Sequence, residues 1–280
     1  MGEFVRALAN PDIPFLRYAL LTGIMASVAF GIIGTYVVTR RITYIAGAIA
    51  HSVLAGIGAA LYLRQACGLA WFTPMMGAVA AAILSALIIG VVGFHTRQRE
   101  DTVIGAVWAI GMATGLLFIA KTPGYIQPMS YLFGDILMIS RSELGWVVAI
   151  DAMVVIVALV CYNKLLAVCF DEEFARLRGV HVEAYYYLLL CLTALTVVLL
   201  VLVVGIVMVI ALLTLPPAVA GQCSKRVWQM MLLSAILCAA FTTTGLGVSY
   251  VYDLPSGPTI ILVGGLAYLV AMAARRLNAR

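Results

Sequence analysis

The chain has 280 residues, 64% of them apolar and 10% charged, with a mean hydropathy of +1.11. Soluble domains are about half apolar and about a quarter charged, so a water-soluble enzyme is excluded and an all-α, polytopic membrane bundle is expected. The net charge of +5 sits in short basic clusters between apolar runs. No basic stretch interleaved with aromatics points to nucleic acid.

The N-terminal stretch MGEFVRALANPDIPFLRYALL places charges and prolines where a cleavable signal needs an unbroken apolar core, so the first span is expected to stay. Spans are predicted at 18–39, 42–63, 68–94, 102–120, 144–163, 184–224, 227–252 and 254–274. A crossing takes about 20 apolar residues. Segment 184–224 runs for 41 residues without a charge, too long for one helix, and Gly205 and Pro216-Pro217 are its candidate breaks. It forms two short crossings, or one crossing and a re-entrant piece, which gives eight or nine crossings in all.

Orientation follows from the basic residues. With the N-terminus outside and nine crossings, Arg40, Arg41, Arg97, Arg99, Lys164, Arg176, Arg178, Lys225, Arg226, Arg275, Arg276 and Arg280 lie inside, 12 of the 17 Lys and Arg. The positive-inside bias favours this arrangement, with a cytoplasmic C-terminus. The six cysteines (67, 161, 169, 191, 223 and 238) contain no CxxC and read as small apolar filler.

Two ionisable residues inside spans stand out, because such residues are expensive in lipid and default to functional candidates. His51 lies in AGAIAHSVLAG, 46–56, where Ala48, Ser52, Gly56 and Ala60 recur every fourth residue and let another backbone approach closely. It is either a structural histidine bonded to a neighbouring helix or a group facing a transport path. Asp151 reads first as paired with a hydroxyl on another helix. Asp135, in YLFGDIL at 131–137, lies between the outside loop KTPGYIQPM and the next span. It is either a helix N-cap over Ile136–Ser140 or a carboxylate of an outer vestibule that attracts divalent cations. His95 and His181 fall in inside loops and are expected to be solvated. Met129, Met138, Met208 and Met230 read as packing.

The longest polar segment, NKLLAVCFDEEFARLRGVHVEA at 163–184, lies inside. Asp171, Glu172 and Glu173 precede Phe174, Ala175 and Leu177 and the basic Arg176 and Arg178, a charge order that suits a short helix dipole. Gly179 can stop that helix, and Phe174 and Leu177 share a face. The segment is either a solvated connector with one helical turn or a docking knob for a cytoplasmic partner.

Six stretches in order then carry a resemblance. YVVTRRITYIAGAIAHSVLAG (36–56), EDTVIGAVWAIGMATGLLF (100–118), YLFGDIL (131–137), FDEEFARLRGV (170–180), VVGIVMVIALLTLPPAVA (203–220) and YDLPSGPTIIL (252–262) resemble the permease subunit of bacterial ABC importers for zinc, manganese or iron, in its zinc and manganese branch. The likeness covers nearly the whole chain. It implies one transmembrane permease domain over 1–280, in the bacterial inner membrane, with a cytoplasmic coupling segment at 164–183 comprising Asp171, Glu172, Glu173, Phe174, Ala175, Arg176, Leu177, Arg178 and Gly179. It implies a homodimer, two ATPase subunits below, an extracytoplasmic metal-binding protein above, and a fold related to the vitamin B12 and siderophore permeases. His51 and Asp135 become candidate contacts for a passing Zn²⁺ or Mn²⁺, a substrate and not a resident cofactor. The chain departs from the family at Gly47, where an acid commonly stands on the face of the histidine, and at Ala55, where Pro or Gly is frequent. A lone imidazole leans toward Zn²⁺, since manganese prefers oxygen.

No GxxxxGK[ST] occurs, so ATP hydrolysis would come from a partner. An ion-coupled secondary metal transporter is the alternative, but that class usually spends several acids inside its spans. The absence of HExxH and GxSxG argues against an intramembrane enzyme.

Overall fold

The computed structural model of the protein describes residues 2–9, 14–95, 100–123 and 141–278. Within them the chain is helical throughout: α1 (Gly2–Ala9), α2 (Pro14–Arg40), α3 (Thr43–Ala66), α4 (Pro74–His95), α5 (Glu100–Lys121), α6 (Arg141–Val160), α7 (Tyr162–Phe170), α8 (Glu172–Leu177), α9 (Val182–Val204), α10 (Ile206–Cys223), α11 (Val227–Tyr252) and α12 (Ser256–Asn278). Among the described residues eight of these, α2 to α5 and α9 to α12, are long and apolar enough to cross a membrane. A ninth span is available if Leu144–Val160 and Tyr162–Phe170, bent by 72° at Cys161, count as one.

The 41-residue apolar stretch breaks at Gly205, whose φ of 88° and ψ of 163° belong to glycine alone. Pro216 and Pro217 do not break it: both sit buried inside α10. The two prolines remove amide donors, and the carbonyl of Leu213 that Pro217 leaves free lies against Gly34 of α2, where an added Cβ would fall 2.6 Å from that oxygen. The third span starts at Pro74 and not at 68. Thr73 caps it by accepting from the Met76 amide at 3.3 Å, and proline occupies the first helical position, where its missing N–H costs nothing.

Helices in lipid gain little from burying apolar surface against each other and associate through close packing of small residues. α3 is the centre of this packing. An ideal Cβ on Gly56 would lie 2.0 Å from the carbonyl of Gly77 in α4, one on Gly58 would lie 2.6 Å from that of Gly115 in α5, and one on Gly111 would lie 2.5 Å from the Cα of Ser52. Ser52 also accepts from Ser85 of α4 at 2.6 Å. The stripe of small residues thus serves α4 and α5 together. On the other side of the bundle α2 meets α11 at Gly31 and Ala235.

Contacts between helix ends sort the termini. The end of α2 (Arg40) meets α8 at Glu172, and Phe94 of α4 meets Tyr186 and Tyr187 of α9. Gln222 of α10 shares a cavity of about 490 Å³ with Arg275 and Arg276 of α12. At the opposite end Phe4 of α1 packs on Tyr250 of α11, centroids 6.1 Å apart. The basic clusters therefore gather at one end of the bundle.

A histidine stacked beneath tryptophan

The glycine contacts between α3 and α5 determine what lies beside His51. Gly111 and Gly115 draw the two backbones together, and Trp108, one turn earlier on the same face of α5, lands on the imidazole. The two rings stack with centroids 4.2 Å apart and planes 23° from parallel. His51 is half-buried. Its Nδ1 lies 2.9 Å from the carbonyl oxygen of Gly47. That oxygen can only accept, so Nδ1 carries the proton, and in the neutral ring Nε2 keeps its lone pair. Metal-binding histidines are typically held this way, by a bond from the other ring nitrogen to a carbonyl or carboxylate.

Gly47 has a second part in the site. An ideal Cβ there would lie 2.8 Å from Cζ3 of Trp108 and 3.2 Å from Cδ1 of Ile210 in α10. The indole fills the volume that an acidic side chain at 47 would need. Trp108 is not among the residues that the sequence singles out, although the spacing of Gly111 and Gly115 is a sign that α5 comes close to α3.

Asp135 lies outside the described residues. Asp151 is 8% exposed on α6, and no hydroxyl partner for it lies among the described residues. The carboxyl lies against the backbone of Ala29 in α2, and Oδ1 has no hydrogen-bond partner among the described residues. α6 reaches α2 where that helix presents Ala29, which offers no side-chain donor. His95 and His181 are exposed at helix ends, and Met208 is buried. Among the described residues no three His, Cys, Asp or Glu side chains converge as a metal set.

The other candidate region is at the basic end. Asp171 caps α8, its carboxylate accepting from the Phe174 amide at 2.9 Å. Gly179, with φ of 76°, closes the helix: its amide bonds the Arg176 carbonyl at 2.9 Å and the Val180 amide bonds that of Ala175 at 3.0 Å, the paired pattern of a glycine C-cap. Ala175 is the buried residue of the helix, and Glu173 and Arg176 face solvent. Phe174 is 50% and Leu177 87% exposed, and the guanidinium of Arg178 stands 5.0 Å over the Phe174 ring. Two apolar side chains are thus held out from a short helix capped at both ends.

The sequence matches the family model for the ABC 3 transport family over residues 12–275. The chain belongs to the ABC 3 transport family. The match spans all six stretches on which the resemblance rests. This ABC 3 family chain is 38% identical over 264 residues to the "Probable metal transport system membrane protein" of Chlamydia muridarum, covering 94% of this chain and 90% of that one. It is 31% identical over 258 residues to the "Manganese transport system membrane protein MntC" of Halalkalibacterium halodurans, covering 92% of this chain and 86% of that one. It is also similar to a chain in the solved structure "PsaBC from Streptococcus pneumoniae in complex with Fab", with a TM-score of 0.85 and 27% identity over 96% of this chain and 94% of that one.

Proposed function

We propose that this protein is the permease subunit of an ATP-driven importer that carries a divalent transition metal into the cytoplasm, zinc in preference to manganese. The observation that carries the reading is His51, whose Nδ1 proton is held by the Gly47 carbonyl so that Nε2 is free to meet a passing ion. One or two ligands per subunit suit a transport path, because an ion enclosed in a full shell would not leave. The preference for zinc rests on Gly47: the face of His51 carries no carboxylate, and nitrogen donors favour zinc where oxygen donors favour manganese. Manganese is the second reading, favoured by the name of the MntC relative.

The whole chain acts as a single permease domain, with 164–183 as its coupling segment. Phe174 and Leu177 enter a cleft of the ATPase subunit, with Arg176 and Arg178 on its rim. Two permease copies pair in the inner membrane over two ATPase subunits, and an extracytoplasmic protein delivers the metal. Asp135 supplies a carboxylate at the outer mouth, so Asp135→Asn weakens uptake most when the metal is scarce.

The test is uptake by the permease reconstituted with its ATPase and the metal-loaded delivery protein. His51→Ala should assemble with the ATPase and lose zinc uptake by roughly tenfold or more. Unchanged uptake in an assembled His51→Ala complex would leave the histidine structural. Failure of any ATPase to copurify with the unmutated permease would favour the ion-coupled transporter.

A further inference from the structure

The residue that joins the coupling helix to the rest of the bundle lies far from it in sequence. Arg40 is the last residue of α2, and its side chain is 16% exposed. Its guanidinium meets three other elements. Nη1 donates to the carbonyl of Val168 at 2.5 Å, Nη2 donates to the carboxylate of Glu172, and Cζ stands 4.9 Å over the ring of Tyr186 in α9. Val168 belongs to the last turn of α7, whose carbonyls lack partners within the helix. Glu172 is the first residue of α8. Between them the chain turns at Asp171, with φ of −153° and ψ of 103°. Arg40 therefore occupies the joint between α7 and α8. It pairs the negative end of one helix with an acid at the start of the next.

Beyond Arg40, α2 runs into the bundle through close contacts. Six residues back, Gly34 lies against the Leu213 carbonyl and the Pro217 ring of α10. In α10, Ile210 packs at Gly47, whose carbonyl holds His51. The chain thus starts at a charge-assisted hydrogen bond, passes Gly34, where an added Cβ would fall 2.6 Å from the Leu213 carbonyl, and Ile210, 3.2 Å from a Cβ at Gly47, and ends at the hydrogen bond to His51.

We propose that Arg40 is a positioning residue for transport: it fixes α8 to α2, so that movement imposed on Phe174 and Leu177 reaches the His51 site by way of α2 and α10. This rests on the reading of α8 as the helix that meets the ATPase. Arginine suits the position because its planar fork serves a carbonyl and a carboxylate together while its face stacks on tyrosine. Lysine offers a point charge that can hold the carboxylate but not all three.

The experiment uses the full complex of permease, ATPase and zinc-loaded delivery protein in proteoliposomes, and measures ATPase copurification, stimulated ATP hydrolysis and zinc imported per ATP hydrolysed. Arg40→Ala should retain the ATPase, because Phe174 and Leu177 stay exposed, yet lose stimulation and zinc per ATP by roughly tenfold. Arg40→Lys should recover part of both. Zinc per ATP and stimulation unchanged in Arg40→Ala overturn the proposal. Should Arg40→Ala not accumulate in membranes, Glu172→Gln carries the test, since Arg40 keeps Val168 and Tyr186. A several-fold loss of stimulation supports the proposal, and normal stimulation overturns it. Phe174→Ala separates the two readings. Normal stimulation there removes α8 from the ATPase contact altogether, whereas loss there with coupling intact in Arg40→Ala refutes only the role of Arg40.

Discussion

At position 47 a side chain and its neighbour compete for one volume. The indole of Trp108 stands where a Cβ would be, 2.8 Å away at Cζ3, and the same indole stacks on His51. Putting an acid beside the histidine is therefore a change of two residues. Gly47→Asp alone should displace Trp108 and disturb the α3–α5 contact, at the roughly 1–3 kcal/mol typical of overpacking. Combined with Trp108→Ala it should be accommodated, and competition between labelled zinc and manganese in reconstituted vesicles should then move toward manganese. A double variant with the selectivity of the unmutated protein would show that position 47 does not choose the metal.

The helices owe their limits to a few residues with defined backbone roles. Gly205 separates α9 from α10 at a φ of 88° and ψ of 163°. Any side chain there is strained, so Gly205→Ala should destabilise the protein by about 1–3 kcal/mol, read as a lower Tm in detergent. Pro216→Ala restores a helical amide and should lower Tm much less. In α8 the caps hold the helix, and in the proposed function the exposed apolar pair makes the ATPase contact. Phe174→Ala should insert normally and lose ATPase stimulation, while Asp171→Ala, which removes a cap worth about 1 kcal/mol, should weaken stimulation only in part. Equal losses in the two variants would mean that helix order, and not the phenyl ring, is what the ATPase reads.

Across the whole molecule, the pairing of helix ends makes orientation a single binary choice. Arg40, Glu172, Phe94 and Tyr187 lie at one end, and under the positive-inside expectation that end faces the cytoplasm. Two exposed cysteines fall at opposite ends of the bundle: Cys67 caps the end of α3 far from Arg40, and Cys223 ends α10 beside the basic cluster. In right-side-out vesicles, variants retaining one or the other should differ. An impermeant thiol reagent should label Cys67 directly and Cys223 only after permeabilisation, and the reverse pattern would invert the topology.

Composition and spacing alone determined the class of this protein, because lipid imposes a run of about 20 apolar residues per crossing that no other constraint imitates. They also marked the short helix α8, since Asp171, the acids and bases that follow and Gly179 are local signals whose geometry closes within a few residues. They left the break in 184–224 undecided between Gly205 and the prolines, because a proline is tolerated wherever a neighbouring helix can lie against the freed carbonyl, and Gly34 is 179 positions from Leu213. Only the tertiary structure decided that Trp108 covers His51, that Asp151 lies against the backbone of Ala29, and that Arg40 grips Val168 and Glu172, 128 and 132 residues away. Each of these depends on how closely two helices approach and at what rotation, which the summed packing of small residues sets and no single stretch encodes.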